Sequence, residues 1–327
     1  MSRGPGGSPP RRWLPGRRVL RHWVVRRLAL AVVVVLGAAT AAFAGLWLAP
    51  GDPVQLIVGS HEVTPETAAR VRADLGLDEP LIVQYGRFLL RLLHGDLGQS
   101  YQLSQPVSEL LGGQAGATVA LALTGFLLAA LGSVLLAVAT AGRRPLLRRA
   151  SSAVELVLSS TPAFWAGIVL LTLFSFQWQL FPAVDGGGLD GLVLPGVTLA
   201  LPMLGVFTQV LRESMERSLE EPYALSARAR GSGETALRLR HSLRHTLVPL
   251  LTLSGWTVGS LLSGAVVVET VFSRQGIGRI AASAISTRDL PVVTGVVVVS
   301  AVVFTLVNLL VDVLYAVADP RLKEASG

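Results

Sequence analysis

Residues 221–249, EPYALSARARGSGETALRLRHSLRHTLVP, form a basic segment set between two long apolar runs. The segment is too polar to rest in hydrocarbon and too regularly patterned for a linker. Seven arginines (Arg212, Arg217, Arg228, Arg230, Arg238, Arg240 and Arg244) and five glutamates occupy the wider loop 211–246. Gly231 and Gly233 divide that loop into two short helical stretches. A compact helix–glycine–helix unit of this kind suits a socket for another protein.

The surroundings set the solvent. The chain has 327 residues, 51% of them hydrophobic and only 15% charged, and its mean hydropathy is +0.57. That composition is far from a soluble enzyme. A spanning helix needs about 20 apolar residues, and the runs at 28–48, 115–139, 153–176, 192–210, 247–272 and 291–317 qualify. The expected fold is therefore an all-α polytopic membrane protein with six transmembrane helices, which places both termini on one side. Of the 28 basic residues, 21 fall on the face shared by the termini, the loop between the second and third spans, and 211–246. Positive residues stay inside, so that face is read as cytoplasmic. The net charge of +7, which in a soluble chain points to nucleic acid, is accounted for by topology.

The expected organisation runs as follows: a basic disordered arm over 1–24, a first span over 25–48, an external loop with amphipathic helices over 49–114, a five-helix core over 115–317, and a cytoplasmic tail over 318–327. The first apolar run is long enough to cross and is read as an uncleaved span rather than a signal peptide. In the outer loop, Thr64-Pro65 is a helix start, and Ile82, Tyr85, Phe88, Leu89 and Leu92 recur at helical spacing, so 80–93 lies on the outer membrane surface or against the spans. Pro162, Pro195 and Pro202 interrupt the third and fourth spans and predict bends. Gly255, Gly259 and Ser263 recur every four residues and predict a close helix contact.

Several chemistries are excluded. There is no cysteine, hence no disulfide and no thiolate site. The single lysine, Lys323, is far from any glycine-rich loop, so no Walker A phosphate site exists and any ATP belongs to another chain. None of the five histidines, His22, His61, His94, His241 and His245, lies in a span. His241 and His245 are four apart but lack the HExxH carboxylate, and GxSxG is missing. No catalytic residue and no metal site is expected. Intramembrane charge, by contrast, defaults to function. Glu155 and Asp312 lie near cytoplasmic span ends, where snorkelling or pairing explains them. Glu269, with Arg274 and Arg279, is the candidate pathway or outer gate, where it would attract a cationic group such as a peptide amino terminus. The competing reading is an ion pair that orders the outer loop.

The strings SARARG (226–231) and RHSLRHTLVP (240–249) resemble the coupling loop of ABC importer permeases of the dipeptide, oligopeptide and nickel family. So do APGDPV (49–54), LGLDEP (75–80), HGDLGQS (94–100), VVVETVFSRQGIGRIAASAISTRDLPVV (266–293) and NLLVDVLYAVADPR (308–321) resemble that family's signatures. The resemblance covers 26–321. It implies a type I importer permease fold, with Glu221, Tyr223, Ser226, Ala227, Arg228, Ala229, Arg230, Gly231, Arg240, His241, Arg244 and Pro249 forming the ATPase-coupling loop. The general importer pattern has a glutamate and two alanines before the glycine. Here Leu225, Ser226 and Ala227 stand there, and Pro249 lies farther away, both features of the peptide and nickel branch. Gln275 replaces a usual proline. The resemblance further implies a second, non-identical permease, two cytoplasmic ATPases carrying ATP and magnesium, an external binding protein, and a peptide or nickel-chelate cargo, with no cofactor on this chain. An ion-coupled carrier would need a charged midplane site, and an intramembrane enzyme a buried nucleophile and base; the spans offer neither.

Overall fold

The computed structural model describes residues 17–48, 54, 64–100, 102–142, 145–184 and 188–318. In chain order these form α1 (Arg17–Leu48), α2 (Pro65–Leu75), α3 (Leu81–Leu93), the two-residue strands β1 (Gln99–Ser100) and β2 (Gln105–Pro106), α4 (Val107–Thr140), α5 (Pro145–Ser160), and α6 (Ala163–Leu170), which runs into a π-helical turn, Leu171–Gln177. Then come α7 (Asp190–Glu220), α8 (Pro222–Ala229), α9 (Glu234–Leu237), a second π-helical turn, Arg238–Ser242, and α10 (Leu243–Val271), α11 (Ile277–Thr287) and α12 (Leu290–Ala318). The strands pair antiparallel, Gln99 opposite Pro106.

The helical class expected from the sequence is what the chain adopts. Four described helices are long and apolar enough to cross a membrane, or five if the bent pair α5–α6 counts as one, and α10 adds the apolar stretch Thr257–Val271. Several bounds differ from expectation. Helix α1 begins at Arg17, inside the stretch expected to be a disordered arm; residues 1–16 and 319–327 lie outside the described residues. Helix α4 starts eight residues before the expected span, because Val107 and Leu111 are buried against Ala284 of α11 and Val292 of α12.

The expected third span is not one helix. Between Ser160 and Ala163 the chain turns by 101°. Pro162 disfavours helical geometry at Thr161, and its own extended ψ of 134° starts α6 in a new direction. The fourth span departs in the opposite sense: α7 runs unbroken for 31 residues through Pro195 and Pro202. Proline removes a bond to the carbonyl four residues back, which for Pro195 is Gly191. The Arg274 guanidinium lies 3.5 Å from that oxygen and faces the freed acceptor.

Helix α7 is central, packed by α4, α5 and α10, while α1 packs on α12. The apolar window of α7 is 61% buried, that of α1 only 6%. The core joins Leu194, Leu199, Met203 and Phe207 of α7 to Leu121 and Ala129 of α4 and to Ala265 and Val268 of α10. Phe126 meets Phe207 edge to face at 6.3 Å. Helix α3 lies against α1, with Phe43 in tilted ring contact with Tyr85 and Phe88 and Thr40 bonded to the Tyr85 hydroxyl at 2.7 Å.

Of the expected packing triad, Gly255 faces Asn308 and Gly259 faces Phe304, both on α12, while Ser263 is exposed. A tighter contact occurs at Gly205, where an added Cβ would sit 2.6 Å from the Glu155 carbonyl of α5 and 2.8 Å from the Ser159 amide. Overpacking costs about 1–3 kcal/mol, and backbone atoms cannot yield as a flexible side chain does. Gly205→Leu is therefore expected to lower the thermal stability of the detergent-solubilised chain by at least that much, whereas Gly259→Ala, with its nearest atom at 3.8 Å, leaves it nearly unchanged.

Candidate functional site

The polar segment grows directly out of α7. Glu221 is extended, with φ −68° and ψ 150°, and Pro222 opens α8 at a helical position where its missing N–H costs nothing. The helix ends in a two-bond cap: Ser232 donates to the Ala227 carbonyl at 3.1 Å and Gly231 to the Arg228 carbonyl at 2.9 Å. This is the Schellman arrangement, whose residue after the cap takes the left-handed conformation. Gly231 occupies it, at φ +84°. The chain then re-enters helix at α9, the break expected from the two glycines.

One side of the unit is fastened to the bundle. Ala224, Ala227 and Leu237 are buried with Met215 and Leu219 of α7 and with Ala141 beyond α4. Arg228 donates to the Leu219 carbonyl at 3.1 Å and to Glu234 at 2.8 Å, so it ties the end of α7 to α8 and α9 together. The hydrogen bond to Glu234 holds the Arg228 guanidinium above its already high ordinary pKa, and it stays charged at any working pH. The Tyr223 and Ser218 hydroxyls are bonded to each other.

The other side is open. Glu221, Leu225, Ser226, Ala229 and Arg230 are exposed; Leu225 is 62% accessible and Leu239 51%. Helical spacing explains the division, since 224 and 227 point one way and 225, 226 and 229 the other. Among the residues expected in the coupling loop, Ala227 and Arg228 thus hold the unit in place, while Glu221, Ser226, Ala229 and Arg230 form its free face. Arg240 and His241 fall in the helical turn 238–242 and Arg244 in the first turn of α10, and Pro249 is half-buried inside α10. The exposed leucine was visible in the sequence only as a departure from the family pattern, and its place on the free face emerges from α8 packing.

The expected outer gate is built differently from its sequence reading. Glu269 is fully buried. Its carboxylate accepts the Thr118 hydroxyl at 2.6 Å and the backbone N–H of Arg279 at 3.0 Å, while Thr118 accepts the Ile277 N–H at 2.8 Å. The Arg279 guanidinium turns away to the Ser273 carbonyl at 2.6 Å. Within this chain the carboxylate thus joins α4, α10 and the start of α11, and does not line an open mouth. A Cβ at Gly276 would overlap this carboxylate, and one at Gly278 would sit 2.5 Å from the Val266 backbone. These glycines are spacers for the turn.

Two acidic residues left to snorkelling or pairing are paired. Glu155 binds Arg212 at 2.7 Å with both side chains under 10% exposed, and Asp312 binds Arg27 of α1. Among the described residues no group of acidic and histidine side chains is arranged to hold a metal ion.

A family model described as "Binding-protein-dependent transport system inner membrane component" matches residues 132–324, and the N-terminal membrane-component model of the same transport systems matches 20–122. The chain is 37% identical over 309 residues to a Brucella abortus (strain 2308) protein provisionally named as a peptide transport system permease, covering 92% of this chain and 98% of the relative. It is 33% identical over 334 residues to the dipeptide transport system permease protein DppB of Escherichia coli K12, covering 92% and 98%. It is 35% identical over 305 residues to the glutathione transport system permease protein GsiC of Salmonella paratyphi A, covering 92% and 99%.

Proposed function

The chain belongs to the binding-protein-dependent transport system inner membrane component family, a multi-pass subunit of the bacterial inner membrane, and from that premise we propose that it is the permease through which an ATP-driven importer moves peptides. The peptide and dipeptide names of its relatives support the cargo class. The topology proposed has six spans, α1, α4, the bent α5–α6 pair, α7, α10 and α12, with both termini and the 221–249 segment in the cytoplasm; the charge asymmetry supports that orientation. Hydrolysis is carried by partner ATPases that bind ATP and magnesium, since the sequence offers no phosphate loop. A second permease and an external binding protein complete the assembly.

One observation carries this reading. The α8–Gly231–α9 unit is seated on the extension of α7 through buried contacts, yet turns a free face of Leu225, Ser226, Ala229 and Arg230 outward. Seated this way, it transmits a push: a groove on an ATPase that grips α8 moves α7, and α7 is the axis of the bundle. Substrate then crosses by alternating access. Leu225 is the apolar knob of that contact, and Arg230 a charge at its rim.

The test is reconstitution of the chain with its partner permease, ATPases and binding protein into liposomes. Uptake of a labelled dipeptide is expected to require ATP and every partner; uptake driven by an ion gradient without the ATPases would make the chain a carrier instead. Leu225→Glu is expected to weaken ATPase association by ~10-fold or more, as loss of a central anchor does, with insertion unchanged. Pull-down of the ATPases in detergent reads this out.

A further inference from the structure

We propose that Glu155 and Arg212 are positioning residues that lock α5 in register on α7, so that α5 travels with the coupling segment although it is not joined to it in sequence. The inference rests on the reading of α8 as the docking point for an ATPase.

The contact between α5 and α7 is an aligned ladder. Arg148 binds Glu216 at 3.2 Å. One turn on, Arg212 donates to the Ser152 hydroxyl at 2.9 Å and to Glu155 at 2.7 Å, and Ser151 closes the other carboxylate oxygen at 2.6 Å. Further along, Ser159 faces Gly205. The steps match: from 148 to 152 to 159 on α5, and from 216 to 212 to 205 on α7. The helices run antiparallel without slip over about three turns, ~16 Å at 1.5 Å per residue.

The alternatives to this register are penalised. A slip of one turn one way sets Arg148 beside Arg212, and a slip the other way carries Glu155 toward Glu216; either leaves Glu155 without its cation and removes Gly205 from the place where α5 backbone approaches it. A buried ion pair is weak grounds for net stability, because desolvation offsets the attraction, and its best-attested use is to specify register. Arg212 is 7% and Glu155 4% exposed, so an unpaired charge here has no water to turn to.

The ladder also lies on the path of the stroke. Helix α7 continues from Arg212 without a break to Glu220. Arg228 and the Met215–Leu219–Ala224–Ala227 cluster fasten α8 to that end. A displacement that enters through α8 thus reaches Arg212 through continuous helix, and the ion pair hands it to α5. At Ser160 the chain turns by 101° into α6, whose Gly167 packs on Thr198, Val271 and Phe272. Helix α6 therefore packs on the same α7 through Thr198, so both arms of the bent pair follow that helix.

The experiment uses the complete transporter with nitroxide labels on Leu147 of α5 and Thr235 of α9, both exposed and outside the proposed docking face, and a control pair on Val33 of α1, which packs on α12, and Thr235. Co-purification of the ATPases with the labelled permease reads docking. On trapping with a non-hydrolysable ATP analogue, the Leu147–Thr235 distance is expected to stay within about 2 Å, while the Val33–Thr235 distance changes by more. Bound ATPases with a changed Leu147–Thr235 distance overturn the inference and leave the docking reading standing. Failure of the ATPases to bind overturns the docking reading, and this inference with it.

Substitution supplies the second arm. The apolar pair Glu155→Leu with Arg212→Met keeps volume and removes register; it is expected to fold with native thermal stability but to transport ~10-fold less dipeptide per ATP hydrolysed. The reversed pair, Glu155→Arg with Arg212→Glu, is expected to restore coupling, because Ser151 and Ser152 can donate or accept. Full coupling in the apolar variant, or none in a folded reversed variant, overturns the positioning role.

Discussion

Gly231→Val is expected to leave the chain inserted in the membrane and to cut ATP-driven uptake by ~10-fold or more, while Gly231→Asn retains most of it. The reason is conformational. Gly231 sits at φ +84°, and no atom lies within 4 Å of where its Cβ would be. The substitution therefore meets no clash; it meets the left-handed region itself, which costs an ordinary residue about 1–2 kcal/mol and a β-branched residue more. Asparagine tolerates this region. Valine releases the strain by abandoning the cap formed through Ser232 and Ala227, and that re-aims α9 relative to α8 and weakens the Arg228–Glu234 tie. None of these bonds lies within a span, so insertion and the core on Phe207 are untouched. Uptake and ATPase activity of the reconstituted complex, measured beside membrane yield, separate the effects. Native transport by the valine variant would remove this segment from the coupling role.

Glu269→Ala is expected to reduce stability by about 3 kcal/mol or more, since each buried donor left without an acceptor costs roughly 1–3 kcal/mol. The Thr118 hydroxyl and the Arg279 amide both end on this carboxylate, and the side chain is fully buried. Glu269→Gln keeps one acceptor oxygen but turns an amide donor toward one of those donors, so it loses about half as much. Thermal denaturation in detergent reads the ranking Glu, Gln, Ala. Peptide preference of the glutamine variant in uptake assays is expected to match the native protein. A stable glutamine variant with altered preference would instead return Glu269 to the pathway.

These two positions illustrate how differently the sequence speaks. The Gly231 turn was legible because its determinants are local: Gly231 and Gly233 interrupt a stretch of otherwise helix-forming residues. Glu269 was legible only as an anomaly. Its nearest charges in sequence, Arg274 and Arg279, suggested an ion pair or a gate, yet the partner that places it is Thr118, 151 positions away. A hydroxyl in the middle of an apolar helix carries no signal of its own. Proline was ambiguous for a related reason. Pro162 turns the chain sharply, whereas Pro195 passes inside an unbroken helix, where a distant arginine faces the acceptor it frees.

The amino-acid sequence determined the class of molecule, its inner-membrane setting, its family and the helix–glycine–helix form of the basic 221–249 segment. Those properties follow from hydropathy, charge asymmetry and backbone preference, which act over a few residues at a time. Tertiary structure decided which face of α8 is free, where Glu269 ends, and that Arg212 finds Glu155 across 57 positions. Such pairings depend on how helices are aligned against one another, and that alignment is set by the whole bundle closing around α7.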